Sequence, residues 1–345
     1  MKDVIIKPLK SIDLTHRVYF FSSRRDDVYA SCSRNGKVTI LNKNFDIVNT
    51  FDCSETIKGE GNSITVFGLH SQIDLFYIGS EDEYRVYNLE GKLLCSVLGH
   101  IQAVHFNKNK NLAWVAKYID SGKKEICLII DDAQQDSIII EDELYDSAVN
   151  FQFLPEQNKI CMLLLAGQDG MATYFLTNNN GKIEYEILDI FEEESIMDFS
   201  PDNSSFLALD VYGLDKITRC SYPYIRLEKE FILPEEYEEK ECQLGYNLFY
   251  LDDKYAIVEI GENLYYILDA DKMEIVGRFI VEGHEPKPIS YYWPRLKGDE
   301  GETTNLFQLF KTSDYIISSY KKTPDDKEAC SLLRIKIEDI LSALN

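Results

Sequence analysis

The sequence predicts an all-β chain folded as a seven-bladed β-propeller of four-stranded antiparallel blades. Three observations carry this expectation: a Phe-anchored strand signal that recurs seven times, hairpin chemistry inside each recurrence, and almost no segment with helical periodicity.

The recurrence is a Phe, a polar turn and then a β-rich run. It stands at Phe21 (SSRRDD, then VYASCS), Phe67 (GLHSQID, then LFYIGS), Phe106 (NKNKN, then LAWVAK) and Phe153 (LPEQNK, then ICMLLLA). It returns at Phe199 (SPDNSS, then FLALDV), Phe249 (YLDDK, then YAIVEI) and Phe310 (KTSD, then YIISSY). The spacing centres near ~46 residues, the length of a four-stranded blade. Each copy continues into a third strand, at residues 37–41, 84–87, 216–220 and 264–268 in the clearest cases. A turn rich in Asn, Asp and Gly then leads to a fourth strand, as at residues 88–92, 178–182 and 269–272. Only residues 337–344 read as a short helix.

The repeats divide a single domain, 1–345, into blades at 15–52, 63–98, 101–140, 147–190, 195–233, 244–281 and 305–340. The last blade runs out of chain after a third strand at 331–337, so residues 3–9, whose apolar part begins at Val4, are expected to supply its fourth strand and close the ring.

At 345 residues the chain exceeds the usual size of a single core, which fits a large β architecture. Its 18 Phe and 22 Tyr provide enough buriable surface for a core along the whole length. With 59 acidic and 36 basic residues the net charge is −23, which repels phosphate backbones and anionic membranes, so nucleic acid and membrane are not expected partners. Residues 1–8 (MKDVIIKP) hold a short apolar run interrupted by Lys and Pro, unlike a secretory h-region. No apolar run approaches the roughly 18 residues that span a bilayer, and the expected location is cytoplasmic.

Blade two reads Tyr77-Ile-Gly-Ser-Glu-Asp-Glu-Tyr-Arg-Val-Tyr-Asn88, a Gly-Ser-x-Asp run that ends on Tyr87-Asn88. Asn42 and Asp269 fall at similar positions, Gly99-His100 and Gly283-His284 open repeats, and Phe199-Ser-Pro-Asp202 follows a first strand. These features resemble the WD-repeat propeller superfamily. Most blades lack its Trp-Asp and Gly-His signatures, so the resemblance implies a partial His-Ser-Trp-Asp network. It also implies a scaffold for protein partners, and it carries no specific ligand.

No GxSxG, HExxH, phosphate-binding loop, paired CxxC or EF-hand loop occurs, and Gly59-Glu-Gly61 sets a carboxylate where an anion would sit. His16, His70, His100, His105 and His284 are scattered over at least four blades. The eight cysteines are expected to be reduced and buried; Cys32, Cys95, Cys127, Cys161 and Cys220 stand inside strand-like runs. Asp269 and Asp271 with Glu274 suit either a hard cation or a capped hairpin turn. No catalytic residue, cofactor or metal site is expected.

In a propeller the connections from strand four to the next strand one, and from strand two to strand three, open on the same face. The acidic runs collect in these two sets: Glu81, Asp82 and Glu83; Glu141, Asp142 and Glu143; Glu192, Glu193 and Glu194; Glu235 and Glu236. Such runs serve solubility or attract a cationic surface. Residues 282–304 form an unusually long connection containing Tyr291, Tyr292 and Trp293, which suit either partner anchors or an extra strand. The expected function is non-enzymatic binding of a protein, possibly basic, through this acidic face by a monomer. The rival is a propeller enzyme or small-ligand binder using a metal or carboxylates in the central channel.

Overall fold

The computed structural model describes all residues except 25–26, 58–62, 71–72, 108–111, 121, 132, 142–146, 157, 166–170, 189–193, 239–241, 289–301, 321–329 and 345. The chain forms a seven-bladed propeller whose residues group into two compact units, Val18–Glu193 with four blades, and Met1–Arg17 together with Glu194–Asn345 with three.

Blade one comprises Phe20–Arg24, Val28–Cys32, Lys37–Asn42 and Ile47–Asp52, and blade two Val66–Leu69, Leu75–Gly79, Glu83–Asn88 and Leu93–Leu98. Ile101–Phe106, Leu112–Asp120, Lys123–Ile130 and Ala133–Glu141 make blade three, and Ala148–Phe153, Lys159–Leu165, Met171–Asn179 and Lys182–Ile187 make blade four. In the other unit, blade five holds Glu194–Phe199, Ser205–Asp210, Lys216–Ser221 and Arg226–Ile232. Blade six holds Leu244–Tyr250, Tyr255–Ile260, Tyr265–Asp269 and Glu274–Val281. Blade seven follows with Leu306–Lys311, Tyr315–Tyr320 and Cys330–Lys336. All seven repeat phenylalanines lie in first strands.

Burial follows strand order. Second strands such as Ser205–Asp210 are buried along nearly their whole length, whereas fourth strands such as Arg226–Ile232 are mostly exposed. A continuous apolar run belongs in a strand covered on both faces, so the core lies between blades. Ile40 and Val38 of blade one meet Phe76 and Ile78 of blade two, and Leu207 and Ile217 of blade five meet Val258 and Tyr266 of blade six. The turn chemistry read from the sequence acts as expected. The side-chain oxygens of Asn42, Asn88, Asn178 and Asp269 accept backbone N–H groups of the turns that follow, from Asp46, Lys92, Gly181 and Lys272 at 2.7–3.0 Å. Gly91 is required by close approach as well as by its φ of +82°, because a Cβ there would come within 2.3 Å of the Phe51 ring of blade one.

The N-terminal segment completes the last blade as expected, but not with residues 3–9. Lys10–Leu14 pairs antiparallel with Cys330–Lys336 and is the fourth strand of blade seven. Lys2–Ile6 instead pairs in parallel with Glu274–Val281, as a fifth strand on blade six. Pro8 is the physical reason: it lacks an N–H and cannot continue a ladder, so the run splits into two strands on two blades. The expected helix forms at Ile337–Leu344. It buries Ile337 and Ile340 in one cluster with Val4 and Ile6, and the Ala343 carbonyl accepts a hydrogen bond from Lys2 Nζ at 2.8 Å.

The split separates two effects in a truncation series. Removing residues 1–9 takes away only the fifth strand of blade six, while removing 1–15 also strips blade seven of its fourth strand and exposes the partners of buried Leu14. The longer truncation is expected to lower the calorimetric melting temperature far more than the shorter one. Equal losses would contradict this division of labour.

Candidate functional site

The connections on one face are tied to one another through the backbone. In blades one to three, Cys53 N donates to the Gly36 carbonyl at 2.8 Å, Gly99 N to Asp82 at 3.0 Å and Tyr118 N to His100 at 2.9 Å. The first two of these bonds join a strand-four-to-one connection to a strand-two-to-three turn, and the third joins such a connection to the second strand of blade three near its end. The other unit repeats the pattern: Leu233 N donates to the Asp215 carbonyl and Gly261 N to the Gln243 carbonyl, both at 2.7 Å. The two loop sets assigned to one face from the sequence therefore do share an edge within each unit.

The predicted acidic residues divide into two kinds. Glu81, Asp82 and Glu235 are exposed on these connections, and Glu141 is exposed at the end of the fourth strand of blade three. Glu83 and Glu194 are not, which corrects their assignment to an open rim. Glu83 is 3% exposed; its carboxylate takes two hydrogen bonds from Arg85, at 2.9 and 3.2 Å, and another from the Ser96 hydroxyl. Arg85 also meets Glu55 at 2.9 Å. Glu194 opens the first strand of blade five, where Lys216 Nζ at 2.7 Å and Thr218 Oγ1 at 2.9 Å hold it. Both carboxylates begin a strand; Arg85, two residues on in the same strand, neutralises Glu83, and Lys216 of the third strand of blade five neutralises Glu194. Glu236 lies in the single helical turn Glu235–Glu238. Asp142, Glu143, Glu192, Glu193, Tyr291, Tyr292 and Trp293 lie outside the described residues.

The base of the long 282–304 connection is built. Lys287–Pro288 pairs antiparallel with Glu302–Thr303, so the connection leaves blade six through a two-rung stem. Thr303 Oγ1 donates to the Glu262 carbonyl at 2.7 Å and Thr304 Oγ1 to that of Asn263 at 2.9 Å, clamping the stem to the strand-two-to-three turn of blade six. Glu262, Glu282, Glu285 and Glu302 are exposed around it, and Arg278 pairs with Glu302 at 2.9 Å. Sequence reasoning missed Tyr246, 63% exposed on the first strand of blade six. Alternation would set it on the buried side with Leu244 and Leu248, but a register irregularity between those two residues turns it outward. Nothing in the residue pattern signals that irregularity.

No protein-family model matches the sequence, and no curated protein matches it. Among solved structures, the β-propeller domain of Cps50 (Swd1) from Myceliophteria thermophila is similar in fold, with a TM-score of 0.59 at 10% identity. The match covers 96% of this chain and all of that domain. The chain has the fold of a WD-repeat-like propeller. At the dipeptide positions of this WD-repeat-like fold, Asn42, Asn88 and Asp269 cap their own turns, and the His100 ring lies 5.3 Å from the ring of Tyr118.

The titratable groups that could do chemistry are held within the scaffold. Among the described residues no three His, Cys, Asp or Glu side chains gather as a metal site. His16 and His70 are buried. His284 Nδ1 meets Asn305 Oδ1 at 2.9 Å, and burial lowers its pKa. Asp269 Oδ1 accepts the Asp271 and Lys272 amides, so this segment is a capped turn. Cys32, Cys53, Cys127, Cys161, Cys220 and Cys330 are buried free thiols. Burial pushes Cys53 up to about 11 and Cys220 up to about 12. Cys242 is half-buried, and Cys95, expected to be buried, is exposed because its strand is the outermost of blade two.

Two measurements test this division. Glu83→Ala leaves the Arg85 guanidinium without its main partner and is expected to cost on the order of 3 kcal/mol in denaturant unfolding, against no more than about 0.5 kcal/mol for Glu81→Ala. In a native thiol titration Cys95 is expected to react first, and Cys95→Ser should remove that fast phase. Persistence of the phase would assign it to another thiol.

Proposed function

We propose that this chain is a non-enzymatic protein-binding propeller that recognises a basic partner through the face carrying its strand-four-to-one connections. One observation carries the reading: connections hydrogen-bonded to their neighbouring turns present exposed carboxylates, at Glu81 and Asp82 in one unit and at Glu235, Glu262, Glu282 and Glu285 in the other, and Glu141 is exposed at the end of a fourth strand. Loops fixed in place keep their charges in a constant arrangement, so a partner meets a preformed negative surface and little ordering entropy is lost on binding. The net charge of −23 strengthens the attraction for cationic surfaces and disfavours nucleic acid. Tyr291, Tyr292 and Trp293 supply aromatic anchors on the connection whose stem is clamped to blade six, and the location proposed is cytoplasmic.

A protein recovered on the wild-type chain from the native host's lysate, identified and purified, is the reagent for the test. Reversing Glu81, Asp82 and Glu235 to Lys is expected to slow its association and flatten the salt dependence of the on-rate, because exposed charges act mainly on encounter. Trp293→Ala is expected to act on dissociation instead, costing about 2 kcal/mol if the ring is a buried anchor. Recovery of the same proteins by the wild type and both variants, with unchanged rates, would refute the reading.

A further inference from the structure

The fourth strand of blade two differs from every other fourth strand of the molecule. Leu93–Leu98 reads Leu-Leu-Cys-Ser-Val-Leu, all six residues are exposed, and none is charged. Leu98 is 78% exposed, Leu94 49% and Val97 47%. The other fourth strands all carry charge: Asp52 in blade one, Asp136 in blade three, Glu184 and Glu186 in blade four, Lys229 and Glu230 in blade five, Arg278 in blade six and Asp13 in blade seven. Charges on an outer strand prevent foreign strands from adding to it, and an uncharged apolar edge lacks that protection. Among the described residues no strand pairs with the outer side of Leu93–Leu98. A register irregularity between Leu93 and Cys95 leaves residues 95–98 in regular register with blade two.

The same molecule shows what such an edge accepts. On blade six, Lys2–Ile6 adds in parallel to the fourth strand, burying Val4 and Ile6 and leaving Lys2, Asp3 and Ile5 exposed. The direction of pairing brings exposed Lys7, which follows the strand, to the connection end of the blade, where Glu282 N donates to the Ile6 carbonyl at 2.9 Å. The corresponding end of blade two is acidic. Leu98 adjoins Gly99, whose N–H bonds the Asp82 carbonyl, so the apolar edge runs up to exposed Glu81 and Asp82.

We infer that the outer edge of blade two is a strand-addition site for an extended segment of a protein partner with apolar residues at alternate positions followed by Lys or Arg. Main-chain hydrogen bonds to residues 95–98 would supply the affinity. Apolar side chains at alternate positions would cover the face of the edge that carries Val97, and the cationic end would meet Glu81 and Asp82. The inference rests on the proposed recognition of a basic partner and locates one part of it.

A random-peptide library displayed on phage and selected against the whole chain tests the site. Enriched peptides are expected to carry the alternating apolar pattern followed by a basic residue. Binding of a selected peptide, followed by fluorescence anisotropy, should weaken by about tenfold or more when Leu94 and Val97 are both changed to Lys. Glu81→Lys with Asp82→Lys should weaken it less and remove its salt dependence. Peptides without the pattern, no enrichment, or equal binding by the Leu94/Val97 variant would overturn the inference. Sedimentation of the chain alone is the control, since a dimer that the Leu94/Val97 variant abolishes would assign the edge to a second copy and likewise overturn it. If these outcomes fail while reversal of Glu81, Asp82 and Glu235 still slows the partner's association, the acidic-face reading survives without the edge. If the edge variant weakens peptide binding and charge reversal has no effect on the partner, the acidic-face reading fails.

Discussion

The structure depends on one constraint: the second strand of every blade is buried on both faces, so no blade can bury itself. Ile126 and Leu128 of blade three lie in one cluster with Ile160 and Met162 of blade four, and Ile267 and Tyr265 of blade six share another with Ile316 and Leu333 of blade seven. Each interior is thus a property of a pair of neighbours, as in other repeat architectures. A blade missing its fourth strand would expose backbone and apolar side chains together, and for this reason the N-terminal segment is built into blade seven.

The same economy governs the acidic residues. A carboxylate at a strand end with a basic partner in its blade becomes part of the scaffold, as Glu83 does with Arg85 of the same strand and Glu194 with Lys216 of another. A carboxylate one or two residues further into the connection stays in solvent, as Glu81 and Asp82 do. The acidic residues are consequently of two kinds, those that hold connections in place and those exposed to solvent. Lys311 of blade seven reaches Asp198 of blade five at 2.6 Å, and that carboxylate also accepts the Tyr250 amide of blade six, so an ion pair links three first strands in the same way.

Outer strands show how edges are managed. Alternating charges protect blades four and five, an added strand covers blade six, and the edge of blade two is left apolar and bare among the described residues. Exposure of Cys95 follows from that position alone, since a thiol in a second or third strand, such as Cys161 or Cys127, is buried.

What the sequence determined by itself was the repeat: the seven phenylalanines, the apolar second strands and the Asn and Asp turn caps are local signals with a period of one blade, and each forms the expected element. Tertiary structure alone decided which strand closes blade seven. Pro8 marked the break, but only the available edges of blades six and seven could send Lys2–Ile6 to one and Lys10–Leu14 to the other. It also decided which carboxylates are held: Arg85 stands two residues from Glu83 in the chain, but Ser96, which also bonds Glu83, and Lys216 and Thr218, which hold Glu194, are brought there by the pairing of strands. The outward turn of Tyr246 came from a register irregularity that residue types do not encode. Local propensity acts over a few residues and is written along the chain, whereas pairing across strands and exposure at an edge depend on neighbours that only the folded blades supply.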